Sequence, residues 1–148
     1  KKHNFYEMDI SSEFTGHHSL VYSETLEEFA RTNKINQRKI MGTSIDDFSG
    51  ENCLVPSFLK MDIEGYEYFA LKGAQQMLEK VDRLTMIIEF NSARIKSIGL
   101  ENFSFIDILR DFDCYEILRP DLYNDFTSLV KYNFDRDIKC DLLCIKSK

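Results

Sequence analysis

The sequence predicts an α/β domain built on an open sheet, and three observations carry that expectation. Short apolar runs of strand length alternate with stretches of helical spacing from Pro56 onward. One run, Leu84 to Phe90, is apolar at nearly every position, as a parallel strand buried on both faces would be. Strands that alternate with helices pack as an open sheet with right-handed crossovers.

Element by element, Asn4 to Ile10 alternates through Phe5-Tyr6-Glu7-Met8 and reads as a short strand. The pattern dissolves into loop around Gly16-His17-His18-Ser19-Leu20. Behind Ser23 as a cap, Leu26, Phe29 and Ala30 fall at helical spacing. Lys39 to Ile45 reads as extended, and Asp46-Asp47 with Ser49-Gly50 predicts a turn. Phe58 to Ile63 is then a strand, and Glu64-Gly65 turns it into a helix. Tyr66, Phe69, Ala70, Ala74, Met77 and Leu78 form one apolar face of that helix, leaving Glu67, Lys72, Gln75, Gln76 and Glu79 for water. After the Leu84 to Phe90 strand, Phe103, Ile106, Leu109 and Phe112 mark a second amphipathic helix. Cys114 to Leu118, ahead of Pro120, and Cys140 to Ile145 are the closing strands.

Composition bounds what such a domain does. With 148 residues, 43% of them hydrophobic and 30% charged, the chain is expected to fold as a single domain over residues 1–148. A net charge of −6 supplies no positive field for a phosphate backbone or an acidic membrane, so no nucleic-acid partner is expected. No apolar run approaches the roughly 20 residues of a membrane span, and no signal-peptide pattern opens the chain. The expectation is a soluble, cytoplasmic protein without a membrane span. Cys53, Cys114, Cys140 and Cys144 lack CxxC spacing, so reduced, partly buried thiols are expected rather than a metal knuckle. The chain opens Lys1-Lys2-His3, which suggests a piece of something longer.

Ligands of open α/β sheets bind beyond the carboxyl ends of the strands. Asp62 and Glu64 stand at the end of the first firm strand, where alternate residues of an extended segment point the same way. Gly65 follows, with backbone N–H groups open to a ligand at the helix start. Glu89 and Asn91 hold the same relation to the next strand. Each has a purely structural reading: an acidic residue at a helix N-terminus stabilises it by roughly 0.3–1 kcal/mol in any protein. Glu89 is the harder to read that way, because a carboxylate at the end of a buried strand needs a partner to offset its desolvation. His17 and His18 are candidate bases or ligands, though in a polar loop they are more often solvated. Lys60 is a functional ammonium or a snorkelling edge lysine.

The stretch Phe58-Leu59-Lys60-Met61-Asp62-Ile63-Glu64-Gly65-Tyr66-Glu67, continuing to Leu71-Lys72-Gly73-Ala74, resembles the signature of FkbM-type S-adenosylmethionine-dependent methyltransferases. Thr43-Ser44-Ile45-Asp46-Asp47-Phe48 is similar to that family's upstream threonine-leucine-aspartate stretch, and Ile87-Ile88-Glu89 to its next strand with a terminal glutamate. The resemblance covers about residues 38 to 91 well. It implies a partial Rossmann-like class I methyltransferase sheet, about strands four to seven, with helices on its faces. The fourth strand would end at Asp62 and the fifth at Glu89, with an antiparallel Cys140 to Ile145 lying between the fifth and sixth. The family's glycine-rich cofactor turn has no counterpart: the closest glycines, such as Gly65 and Gly73, are eight positions apart. We therefore expect the C-terminal portion of the domain, as a truncated piece or a reduced relative, with an incomplete S-adenosylmethionine site.

For the parent protein the resemblance implies in-line transfer of a methyl group to a hydroxyl of a small molecule or glycan. Asp62 is then the candidate base or substrate-orienting carboxylate, Glu64 a positioning group, and Glu89 an orienting group. The chain alone is expected to be inactive. Some small-molecule O-methyltransferases hold a divalent ion with acidic and amide groups at these strand ends. Asp62, Glu89 and Asn91 would be that oxygen set, but the resemblance does not require an ion and no metal is assigned. The competing reading is a non-catalytic, methyltransferase-derived module acting in binding or oligomerisation. The edge of its first firm strand would form a homodimer unless residues 1 to 50 fold over it.

Overall fold

A computed structural model describes residues 4–11, 35–117 and 129–147, with side chains from Met41 onward. Two sheets appear among these residues. β1 (Asn4–Ser11) and β2 (Ile35–Gly42) form an antiparallel pair, with Asn4 opposite Gly42 and Ser11 opposite Ile35. Strand β2 is thus the extended stretch expected near Lys39, and its ladder partner is β1, so it adds no strand to the main sheet. The helix expected behind Ser23 and the loop holding His17 and His18 lie outside the described residues.

The main sheet comprises β3 (Phe58–Met61), β4 (Arg83–Asn91), β5 (Asp113–Ile117), β6 (Leu129–Lys131) and β7 (Lys139–Ser147), in the order β3-β4-β7-β5-β6. β3 runs parallel to β4, while β7 is antiparallel to both β4 and β5. An antiparallel last strand inserted between β4 and β5 is the arrangement expected from the resemblance. The fold is therefore a mixed α/β sheet flanked by helices, consistent with a partial Rossmann-like methyltransferase fold.

Burial along β4 alternates. Leu84, Met86, Ile88 and Phe90 are buried, whereas Thr85, Ile87 and Glu89 are half-buried. The run is thus not sealed on both faces as its composition suggested. The buried face joins Leu142 and Cys144 of β7 and Cys114 of β5 with helix residues Leu71, Met77, Leu78 and Leu109 in one core. Each large aliphatic side chain removed from water there contributes roughly 1.5–3 kcal/mol. Cys114 and Cys144 are paired in register with Sγ atoms 3.2 Å apart, both as buried free thiols. Burial pushes the half-buried Cys140 thiol up to about 12, which keeps it protonated and inert.

The helices are shorter than the periodicity predicted. The segment after Gly65 is two helices, α2 (Glu67–Lys72) and α3 (Gln75–Lys80), separated at Gly73-Ala74. The second predicted helix opens as a 3-10 turn, Asn102–Phe105, before α5 (Ile106–Leu109). Between these lies α4 (Ser92–Ser97), which the periodicity did not indicate. Asp46 and Asp47 do not make a turn; they open α1 (Ile45–Glu51), capped by Ser44, whose hydroxyl accepts from the Asp47 N–H at 3.0 Å. The Asp46 carboxylate accepts from the Gln76 N–H at 3.1 Å and the Met77 N–H at 2.8 Å, satisfying donors that α3 leaves unpaired at its start. At the other end of α3, buried Lys146 of β7 donates to the Leu78 carbonyl at 2.7 Å.

Candidate functional site

Register places the predicted carboxylates side by side. Met61, the last residue of β3, is level with Ile88, so the next residues on each strand, Asp62 and Glu89, sit together at the carboxyl edge of the sheet. Glu64 joins them by a different route from the one the sequence suggested. β3 stops at Met61, and the chain turns through Glu64 at φ +57° and Gly65 at φ +102°. A left-handed turn, not strand alternation, carries the Glu64 carboxylate back toward Asp62 and Glu89. One oxygen from each of Asp62, Glu64 and Glu89 lies within 4.8 Å of the others.

Three like charges so close repel one another, and each has its own cation. Lys60 Nζ is 3.2 Å from Asp62, Arg94 Nη2 is 2.9 Å from Glu64, and Lys139 Nζ is 3.4 Å from Glu89. Exposure falls in the order Asp62 (47%), Glu64 (28%), Glu89 (15%), so Asp62 is the carboxylate most open to a ligand. The desolvation that made Glu89 notable in the sequence is offset by Lys139 from β7. Lys60 is exposed, and its partner is the candidate base itself.

Two predicted contributors have other work. The Asn91 side-chain oxygen accepts from the Arg94 N–H at 3.3 Å and caps α4, so it is not turned over to a cation set. The Gly65 N–H is not open to a ligand: it donates to Glu67 Oε2 at 3.0 Å, while the Ile63 N–H donates to Glu67 Oε1 at 2.9 Å. Glu67, assigned to the water-facing side of its helix from periodicity, is 4% exposed. Its carboxyl is pushed above the usual range chiefly by burial and further by the nearby Glu89 charge, while the Ile63, Gly65 and its own backbone amides pull it down.

Sequence reasoning missed Arg94 altogether. Its Nη1 donates to the Glu64 carbonyl at 3.0 Å while Nη2 meets the Glu64 carboxylate. The signal was present as Asn91-Ser92-Ala93-Arg94, an asparagine cap three residues ahead of an arginine, but Asn91 was read as a site residue instead.

An oxygen-only set such as Asp62, Glu64 and Glu89 has the hard-donor chemistry that magnesium or calcium prefers. Lys60, Arg94 and Lys139 already pair with its three carboxylates. The amides at its turn are taken by Glu67 and so do not offer themselves to a bound nucleotide.

Among the described residues, no helix is long and apolar enough to cross a membrane. No curated protein and no solved structure matches the chain. The profile of the Methyltransferase FkbM domain matches residues 2–116, from the β1–β2 pair into β5 and including all three clustered carboxylates. The last two strands fall beyond the match, although β7 completes the sheet and brings Lys139 to Glu89. On this match over most of its length, the chain belongs to the FkbM methyltransferase family.

Proposed function

We propose that this chain forms the acceptor side of an S-adenosylmethionine-dependent O-methyltransferase site acting on a hydroxyl of a small molecule or glycan. The observation that supports it most is the convergence of Asp62, Glu64 and Glu89 at the carboxyl edge of adjoining strands in a chain of this family. Asp62, the most exposed of the three, takes the hydroxyl proton; Glu89 accepts a hydrogen bond that orients the acceptor; Glu64 shapes the wall between them. A rim of alternating carboxylates and cations suits a hydroxylated acceptor, which both donates and accepts hydrogen bonds. The methyl group comes from S-adenosylmethionine, whose glycine-rich binding turn we place outside these 148 residues.

Calorimetric titration of S-adenosylmethionine into the 148-residue chain tests this division of labour. No measurable heat is expected; micromolar binding would place a complete donor pocket here and overturn the proposal.

A second reading has its own supporting observation. β3 has β4 as its one ladder partner among the described strands, and Phe58 on it is 54% exposed. An edge of that kind invites pairing with another copy, the contact that a non-catalytic role in oligomerisation would use. Size-exclusion chromatography with light scattering decides: a dimer lost on Leu59→Pro supports edge pairing, and a strict monomer removes it.

A further inference from the structure

The turn that carries Asp62 and Glu64 is gripped from both sides by residues outside it. Glu67 holds it through the Ile63 and Gly65 N–H groups, one on each carboxylate oxygen. Arg94 holds it from α4 through both the carbonyl and the carboxylate of Glu64. The backbone between these holds has two consecutive residues at positive φ, one of them a glutamate. A non-glycine residue persists in that region only where its surroundings hold it there. Arg94 is itself fixed by Asn91, which caps α4 at the end of the same strand that carries Glu89.

We propose that Glu67 and Arg94 are positioning residues that clasp the Asp62–Gly65 turn and set the distance and direction at which Asp62 and Glu64 face Glu89. Resting on the acceptor-side reading above, this assigns their influence on turnover to geometry, with neither side chain touching the acceptor. Both arms of the Arg94 fork close on Glu64 from α4, the helix that follows β4, and so tie the two strand ends into one unit. Glu67 fixes the turn from a position closed to water. A displacement of about 1 Å at a reacting group is worth as much as 10²-fold in rate.

Two measurements test the clasp, one without turnover. In the 148-residue chain, the Ile63 and Gly65 amide proton resonances followed by NMR against pH should titrate together with the Glu67 carboxyl. Glu67→Gln should abolish that shared titration with the fold intact. Independent behaviour of the two amides in the wild type would overturn the clasp. In the full-length enzyme, Arg94→Ala should lower kcat about 10²-fold with acceptor KM little changed. Arg94→Lys, which restores one contact to Glu64 but not the fork, should recover part of that loss. Equal loss in both variants, or a change confined to KM, would contradict positioning. If Asp62→Asn leaves the rate unchanged while the amide signature is present, it is the acceptor-side reading that fails, and the clasp stands as a structural device.

Discussion

Under the proposed acceptor-side role, Asp62→Asn should reduce methyl transfer about 10²–10⁴-fold, the usual penalty for losing a general base. The substitution keeps the size of the side chain and leaves an oxygen to accept from Lys60, which lies 3.2 Å away. It removes the negative charge and with it the capacity to take the acceptor proton. Because the side chain is 47% exposed and outside the core, the folded structure should be retained, and a melting curve run beside the kinetics verifies that. An acceptor assay showing wild-type kcat for the variant would exclude Asp62 from the chemistry, whatever its placement.

Phe90→Ala should destabilise the domain by about 3–5 kcal/mol, the range for emptying a buried aromatic site. Phe90 is 0% exposed, and its ring packs edge-on against Phe105, Tyr132 and Phe134 with centroids 5.2, 5.4 and 5.5 Å away. These neighbours come from the 3-10 turn and from the connection ahead of β7, so one side chain joins three parts of the chain. Phe134 sits at φ +59°, a conformation that a bulky residue keeps only where packing enforces it. Collapse around a missing ring is therefore resisted, and the cavity term should be large. Phe90 also lies between Glu89 and Asn91 on β4, so the loss should loosen the rim as well. Denaturant titration gives the value; a loss below about 1 kcal/mol would mean that the cluster is not a unit.

What the sequence made legible follows from where local physics was strong. β4 was readable because its aliphatic run has no other explanation, and β7 because its alternation is backed by burial on one side. Asp62 and Glu89 were found together because strand ends in an open sheet are where polar groups gather. Glu64 was found for an incomplete reason: strand spacing suggested its direction, whereas the left-handed turn at Glu64-Gly65 produces it. Glu67 was misread because helical periodicity describes the body of a helix, and the first helical residue can fold its side chain back onto the turn before it. The Asn91 cap marked where the Arg94 helix begins, but not what Arg94 reaches, because its partner Glu64 is 30 residues away in sequence, a pairing that only the parallel crossover brings about. Asp46 illustrates the same limit: it looked like a turn residue, yet it caps a helix 30 residues downstream.

Placing Asp62 and Glu89 in a single reacting unit is what the functional reading requires. The most direct test is a double-mutant cycle in methyl transfer, comparing Asp62→Asn, Glu89→Gln and the double variant. Groups that act on one acceptor hydroxyl lose their effect together, so the double variant should be little slower than the worse single variant. If the two losses instead multiply in full, the residues act independently, and the shared acceptor site is wrong.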